Sequence, residues 1–228
     1  MKKPVFVLSA FVLLIIGGYL LYRAKTRVPL ESLHLHNLNY PIHVGLYNLY
    51  RTEQADIVML GNSLTEWVEW NELLGRQNIV NRGIAGDITS GYLHRLDLVY
   101  KLRPKICFIE GGINDLYAEV PVDVVFENYT QIVESLRANG IIPIIQSTLF
   151  VSPKWHDAKE KNKEVAELNA RLHAYATQKQ MQFVDLNKRM SENNLLRDEF
   201  TYDGVHLTAA GYSVWGEEVE KVLKQHSL

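Results

Sequence analysis

The sequence predicts an α/β protein, a three-layer α/β/α sandwich around a five-stranded parallel sheet, and three observations carry that expectation. From Asp56 onward, short apolar runs alternate with longer amphipathic ones, the pattern of a parallel sheet covered on both faces. The amphipathic runs repeat their apolar residues at three- and four-residue spacing, as helices with one buried face do. Polar, glycine-bearing segments follow several of the apolar runs, at the sheet edge where α/β proteins bind ligands.

The five predicted strands are I-V-M-L at 57–60, N-I-V-N at 78–81, K-I-C-F-I-E at 105–110, I-I-P-I-I-Q-S at 141–147 and Q-F-V-D-L at 182–186. A helix after the second strand places Tyr92, Leu96 and Val99 on one face. Another places Val125, Tyr129, Ile132 and Leu136 together and ends at Gly140, a C-cap glycine. A further helix aligns Val165, Leu168, Leu172 and Tyr175. The last aligns Tyr212, Trp215, Val219 and Val222, with Thr208 as its N-cap. No internal repeat, low-complexity tract or second domain is visible.

The chain has 228 residues, enough for one domain with an ample core, which we place at 51–228. Residues 28–50 show no clear period and read as a juxtamembrane linker that merges into the domain. Residues 1–27 read as a membrane anchor. Lys2 and Lys3 precede 19 uncharged residues at 4–22, followed by Arg23, Lys25 and Arg27, and such a run is long enough to span a bilayer. A cleaved signal peptide is the rival. Its apolar region is shorter as a rule and ends in small residues, whereas plausible cuts here place Ile16 or Tyr22 at the outer recognition position. Two basic residues before the span and three after it do not set its orientation. We expect the domain on the extracytoplasmic, periplasmic side.

A net charge of -2, from 24 basic and 26 acidic side chains, gives no electrostatic footprint for nucleic acid, which is excluded as a partner. The single cysteine, Cys107, lies in an apolar run and reads as a small buried hydrophobe. His34, His36 and His43 fit no strong zinc spacing, so no metal is expected, and no cofactor.

Chemistry collects in four segments: G-N-S-L-T after the first strand, R-G-I-A-G-D after the second, G-G-I-N-D-L after the third, and T-Y-D-G-V-H-L-T near the end. Ser63 stands where a nucleophile meets substrate at the mouth of an α/β sheet, and also where a helix cap would sit. Asp203 and His206 are three apart around Gly204, a spacing that lets the carboxylate hold one imidazole nitrogen while the other faces a serine. A D-G turn with an incidental histidine has the same spelling. Gly83 and Gly86 let backbone approach a ligand closely, or only make a turn. Asn114 is placed to donate to a developing negative charge, or to cap a turn.

In order and placement these four blocks resemble the SGNH, or GDSL, hydrolase family, whose fold is flavodoxin-like. The resemblance runs from about Asp56 to the C-terminus. It implies Ser63 as nucleophile, Asp203 as orienting acid and His206 as base. It also implies an oxyanion hole from the N–H groups of Ser63 and Gly86 and the amide of Asn114. Gly86 is preferred to Gly83 because it precedes Asp87, as the family's block requires. The family's usual G-D-S is G-N-S here, with Asn62 in place of aspartate. Since the triad takes its carboxylate from Asp203, the change leaves the machinery whole.

The resemblance implies an esterase, and G-N-S-L-T-E-W, N-R-G-I-A-G-D and D-G-V-H-L-T-A-A-G-Y look most like its acetylhydrolase and carbohydrate O-acetylesterase branch. Short connections predict an open cleft, and Trp67 and Trp155 are candidate flat faces for a sugar ring, with ordinary packing as the alternative. The expected substrate is a small-molecule or glycan ester with a short acyl group. The alternatives are a lysophospholipase- or thioesterase-type lipolytic enzyme and a catalytically silent glycan-binding module.

Overall fold

The computed structural model describes residues 29–228, and the predicted span at 4–22 lies outside the described residues. No helix among the described residues is long and apolar enough to cross a membrane. A compact unit from His34 to Leu228 carries the sheet and the site.

The linker reading of 28–50 needs correction. Asn39–Leu49 form a helix, α1, that is part of the compact unit. Tyr40 and Tyr47 are buried, and their hydroxyls donate to the carbonyls of Gly91 and Gly83. Pro41 falls in the first turn, where its missing N–H costs nothing. Apolar side chains stand on both faces of this helix, so the contrast that normally reveals a helical period is lost.

Beyond it the elements follow the expected alternation. The strands are β1 (Ile57–Gly61), β2 (Ile79–Gly83), β3 (Ile106–Ile109), β4 (Ile142–Gln146) and β5 (Phe183–Val184). They form one parallel sheet in the order β2-β1-β3-β4-β5. Ile57 of β1 lies opposite Ile79 on one side and Ile106 on the other, so the ends of the central strands are level and their loops emerge together.

Between the strands run α2 (Ser63–Glu66), α3 (Trp70–Leu74), α4 (Thr89–His94), α5 (Asp97–Tyr100), α6 (Ile113–Tyr117), α7 (Val122–Ala138), α8 (Ala158–Gln178), α9 (Asn187–Met190) and α10 (Ala209–Gln225). A two-stranded hairpin, β6 (Ser191–Glu192) with β7 (Leu195–Leu196), stands apart from the main sheet. Ile57, Met59, Ile106, Phe108 and Ile144 point to one face and pack with Trp70 of α3, Met190 of α9 and Trp215 and Val219 of α10. Helices α7 and α8 pack on each other, and their predicted apolar residues Val125, Tyr129, Ile132, Leu136, Val165, Leu168 and Leu172 are wholly buried.

The single helix expected over Tyr92, Leu96 and Val99 is two, α4 and α5, although all three residues are buried as their spacing predicts. The break falls at Arg95, whose backbone leaves the helical region at φ −126°, ψ 18°. Its guanidinium turns inward to the carbonyls of Arg82 and Gly61 and to Asp87, while the backbone passes through the break on i→i+3 turn bonds such as Arg95 N–H to Tyr92 O and Leu98 N–H to Arg95 O.

Candidate active site

The site forms where the ends of β1, β2 and β3 meet the loop before α10. Gly61 ends β1, and only glycine fits there, because a Cβ would lie 1.9 Å from Thr65 Oγ1 of the returning α2. Asn62 then caps α2, its Oδ1 accepting the Leu64 N–H at 2.9 Å. This is the work an N-cap needs from an oxygen acceptor, charged or neutral, and it explains how asparagine serves where aspartate is usual. Ser63 is the first helical residue. The helix lasts one turn only, so Trp67 is its C-cap rather than part of a longer helix.

The base arrives from 143 residues away. Ser63 Oγ lies 3.1 Å from His206 Nε2, and His206 Nδ1 lies 2.6 Å from Asp203 Oδ2. The other carboxyl oxygen, Asp203 Oδ1, accepts the N–H groups of Val205 at 2.9 Å and His206 at 2.7 Å. Partial burial pushes the Asp203 carboxyl up, but the His206 ring bond and the two backbone donors together outweigh it and hold this acid below the usual range. The loop itself is braced by Thr201. Its hydroxyl donates to His206 O at 2.8 Å and accepts the Gly204 N–H at 2.9 Å. Gly204 has φ +107°, and a Cβ on it would meet Trp155 N at 2.8 Å, so the tight turn requires glycine.

Gly86 and Asn114 face the same cleft as Ser63 and His206. The turn around Gly86, at φ +74°, is closed by Asp87 N–H to Ile84 O at 3.0 Å, which leaves the Gly86 N–H outside that bond. Asn114 Nδ2 donates one hydrogen to Asp87 O at 2.9 Å, and its second hydrogen remains for a ligand. Gly83 serves packing instead, because a Cβ there would lie 2.3 Å from Glu66 N and its absence lets β2 lie against α2. All five residues singled out in the sequence are therefore brought to one place.

The cleft measures about 440 Å³ and is walled by Trp67, Tyr117, Trp155 and His156 above Ser63 and His206. Neither Trp67 nor Trp155 is a core residue. Trp67 is 52 % exposed and stacks on His206 with ring centroids 4.1 Å apart. Tyr117 donates its hydroxyl to His156 O at 2.7 Å and ties α6 to the loop after β4.

The sequence profile of the GDSL-like lipase/acylhydrolase family matches residues 59–214. The chain belongs to this family. It is 28% identical over 173 residues to an isoamyl acetate-hydrolyzing esterase of Saccharomyces cerevisiae, covering 68% of this chain and 72% of that one. A GDSL-like lipase from Bacteroides thetaiotaomicron superposes with a TM-score of 0.72 at 28% identity, over 82% of this chain and 98% of that structure. An N-acylneuraminate cytidylyltransferase of Streptococcus agalactiae is 25% identical over 167 residues, and there the match spans 72% of this chain but only 37% of the relative. Membership of the family supports ester hydrolysis.

Several residues that hold this GDSL site together were not singled out in the sequence. Arg95 and Asp87 form a fully buried pair at 2.8 Å, and Arg95 also grips Gly61 O at 3.0 Å and Arg82 O at 2.7 Å, joining the serine and glycine loops. Burial pushes the Asp87 carboxyl up, against the pull of Arg95. Glu66 accepts the Ala85 N–H at 2.5 Å and faces His43 Nε2 at 2.9 Å. Asp115 accepts both the N–H and the hydroxyl of Thr89, and burial raises it to about 7. Arg95 did leave a signal, since it lies three residues after Tyr92 on an otherwise apolar helix face. A charge at such a position must find a buried partner.

Proposed function

We propose that this member of the GDSL family is an esterase that works by an acyl-enzyme mechanism on short acyl esters of a bulky alcohol, with a carbohydrate O-acetyl ester as the leading substrate. The carrying observation is the chain of contacts from Ser63 Oγ to His206 Nε2 at 3.1 Å and from His206 Nδ1 to Asp203 at 2.6 Å, opening into a cleft that also holds Gly86 and Asn114.

In this reading His206 Nε2 takes the Ser63 proton as Oγ attacks the acyl carbon. Asp203 keeps the Nδ1–H tautomer and stabilises the imidazolium that forms. The carbonyl oxygen becomes an oxyanion among the N–H groups of Ser63 and Gly86 and the free hydrogen of Asn114 Nδ2. His206 returns the proton to the departing alcohol. Water, deprotonated by the same nitrogen, then releases the acid and restores Ser63. A silent glycan-binding module has no use for this complete set. The short-acyl reading draws support from the modest cleft, and the carbohydrate reading from the exposed Trp67 and the partly buried Trp155 that line it. We further propose that residues 4–22 anchor the enzyme with its domain outside the cytoplasm.

A fluorophosphonate probe should label the wild type and not Ser63→Ala. Ser63→Ala should lose on the order of 10⁵ to 10⁶ in turnover, and adding His206→Ala should cost little more. A folded Ser63→Ala with near-normal hydrolysis would sink the mechanism. A nitrophenyl ester series, followed by acetate release from acetylated sugars, tests the substrate. Specificity constants climbing steadily from acetyl to decanoyl, with no acetate from any sugar, would transfer the assignment to a lipolytic enzyme.

A further inference from the structure

Helix α1 carries an apolar face on the wrong side. Tyr40 and Tyr47 seat it on the domain, yet Leu38, Ile42, Leu46 and Leu49 are 81 %, 60 %, 38 % and 76 % exposed. At about 100° per residue these four fall within an arc of about 80°, nearly opposite the two buried tyrosines. Gly45 borders this arc, and a Cβ on it would meet nothing within 4 Å. Leu35 before the helix and Tyr50 after it extend the stripe. Six of the eleven large apolar or aromatic side chains exposed among the described residues lie between 35 and 50. A surface helix normally turns charged residues to water, as α8 does with Lys159, Glu160, Lys163 and Glu167. Helix α1 has no Lys, Arg, Asp or Glu at all.

We propose that this face of α1 rests on the surface of a lipid bilayer. The occupant is argued from the chain that precedes it and rests on the reading of 4–22 as a span. That uncharged run is followed by Arg23, Lys25 and Arg27, and only twelve residues separate Tyr22 from Leu35. Twelve residues reach no further than about 45 Å even when fully extended, so the stripe is held within reach of the bilayer. An outward apolar stripe with an aromatic residue at its end can lie in the bilayer interface, its leucines entering the acyl boundary, while Arg23, Lys25 and Arg27 of the preceding chain supply the basic groups that meet lipid phosphates. The placement has a consequence for the cleft. Asn39, the first residue of α1, lines it, so a seated helix brings the mouth of the active site beside the membrane surface.

The test uses the full-length chain in vesicles of phosphatidylcholine and phosphatidylglycerol, with a nitrobenzoxadiazole label at Ile42→Cys, at Leu49→Cys, or at the control Ala174→Cys on α8. The native Cys107 is wholly buried and stays unlabelled. Lipids carrying a nitroxide on the acyl chain should quench the labels at 42 and 49 at least roughly twofold more than the label at 174. Equal quenching at all three positions would overturn the proposal. So would a disulfide joining two Ile42→Cys copies in place of quenching, which would assign the face to a second copy. Carbonate washing of the same vesicles judges the span separately. A chain that is quenched but released by carbonate keeps the seated face and loses the span, and a chain retained without quenching does the reverse.

Discussion

Asp203 and Glu110 are both acids near the carboxyl ends of the sheet, and they live in opposite environments. Asp203 sits on a half-buried loop with three donors on its carboxylate, which keep it charged. Glu110, one residue past β3, is wholly buried, neither of its carboxyl oxygens has a hydrogen-bond partner among the described residues, and burial raises it to about 8. The residue class does not assign the role. An acid kept charged beside an imidazole can steer a proton, whereas one kept neutral inside the sheet only shapes the fold.

After Ser63→Ala, the largest effect should come from Asp203→Asn. Removing the charge while keeping the shape should lower turnover by about 10⁴ through loss of the correct tautomer, with little change in the melting temperature. If kcat fell less than tenfold, the orienting acid would have to be sought elsewhere. Arg95→Met should act the other way round. It strands Asp87 in a dry site and removes donors to Gly61 O and Arg82 O, for a loss of about 3–5 kcal/mol in stability by chemical denaturation. Stability within about 1 kcal/mol of wild type would show that the pair is replaceable, as half-solvated pairs are.

Asn114→Ala comes next. Its free amide hydrogen meets negative charge only in the transition state, so turnover should drop roughly 10²- to 10³-fold while KM stays near the wild-type value. A raised KM at constant turnover would mark it as a group that binds the resting ester. The smallest effect is the pH dependence of Glu110→Gln. A carboxyl whose folded value is raised stabilises the fold fully below its ordinary 4.5 and loses that contribution as pH climbs through about 8. The melting temperature of the wild type should therefore fall relative to Glu110→Gln between those limits. Asp203 has the opposite sign, since its depressed value adds stability above the usual carboxylate range and loses it in acid. Parallel melting curves across pH 4.5 to 8 would mean that Glu110 is charged in the folded protein.

The strands and the apolar faces of the long helices are legible locally, in spacing and in turn residues. Ser63, Gly86, Asn114, Asp203 and His206, by contrast, each have an ordinary local reading as cap or turn, and only the resemblance of the four blocks, in their order, to the family's blocks singles them out. The stretch 28–50 misleads because α1 is apolar on both faces. The helix over Tyr92, Leu96 and Val99 reads as continuous because the charge of Arg95 on its apolar face signals a buried partner but not that the backbone breaks there.

The order of the elements can be read from the chain alone, since helical period, strand runs and caps depend on neighbours a few residues apart, and the four blocks that carry the candidate site can be read from their resemblance to the family's. Only the tertiary structure decided the strand order β2-β1-β3-β4-β5, the 3.1 Å meeting of Ser63 with His206, the grip of Arg95 on two loops and the outward turn of Leu38, Ile42 and Leu49. Each of these depends on which distant surfaces are buried together, and burial is a property of the packed chain rather than of any segment within it.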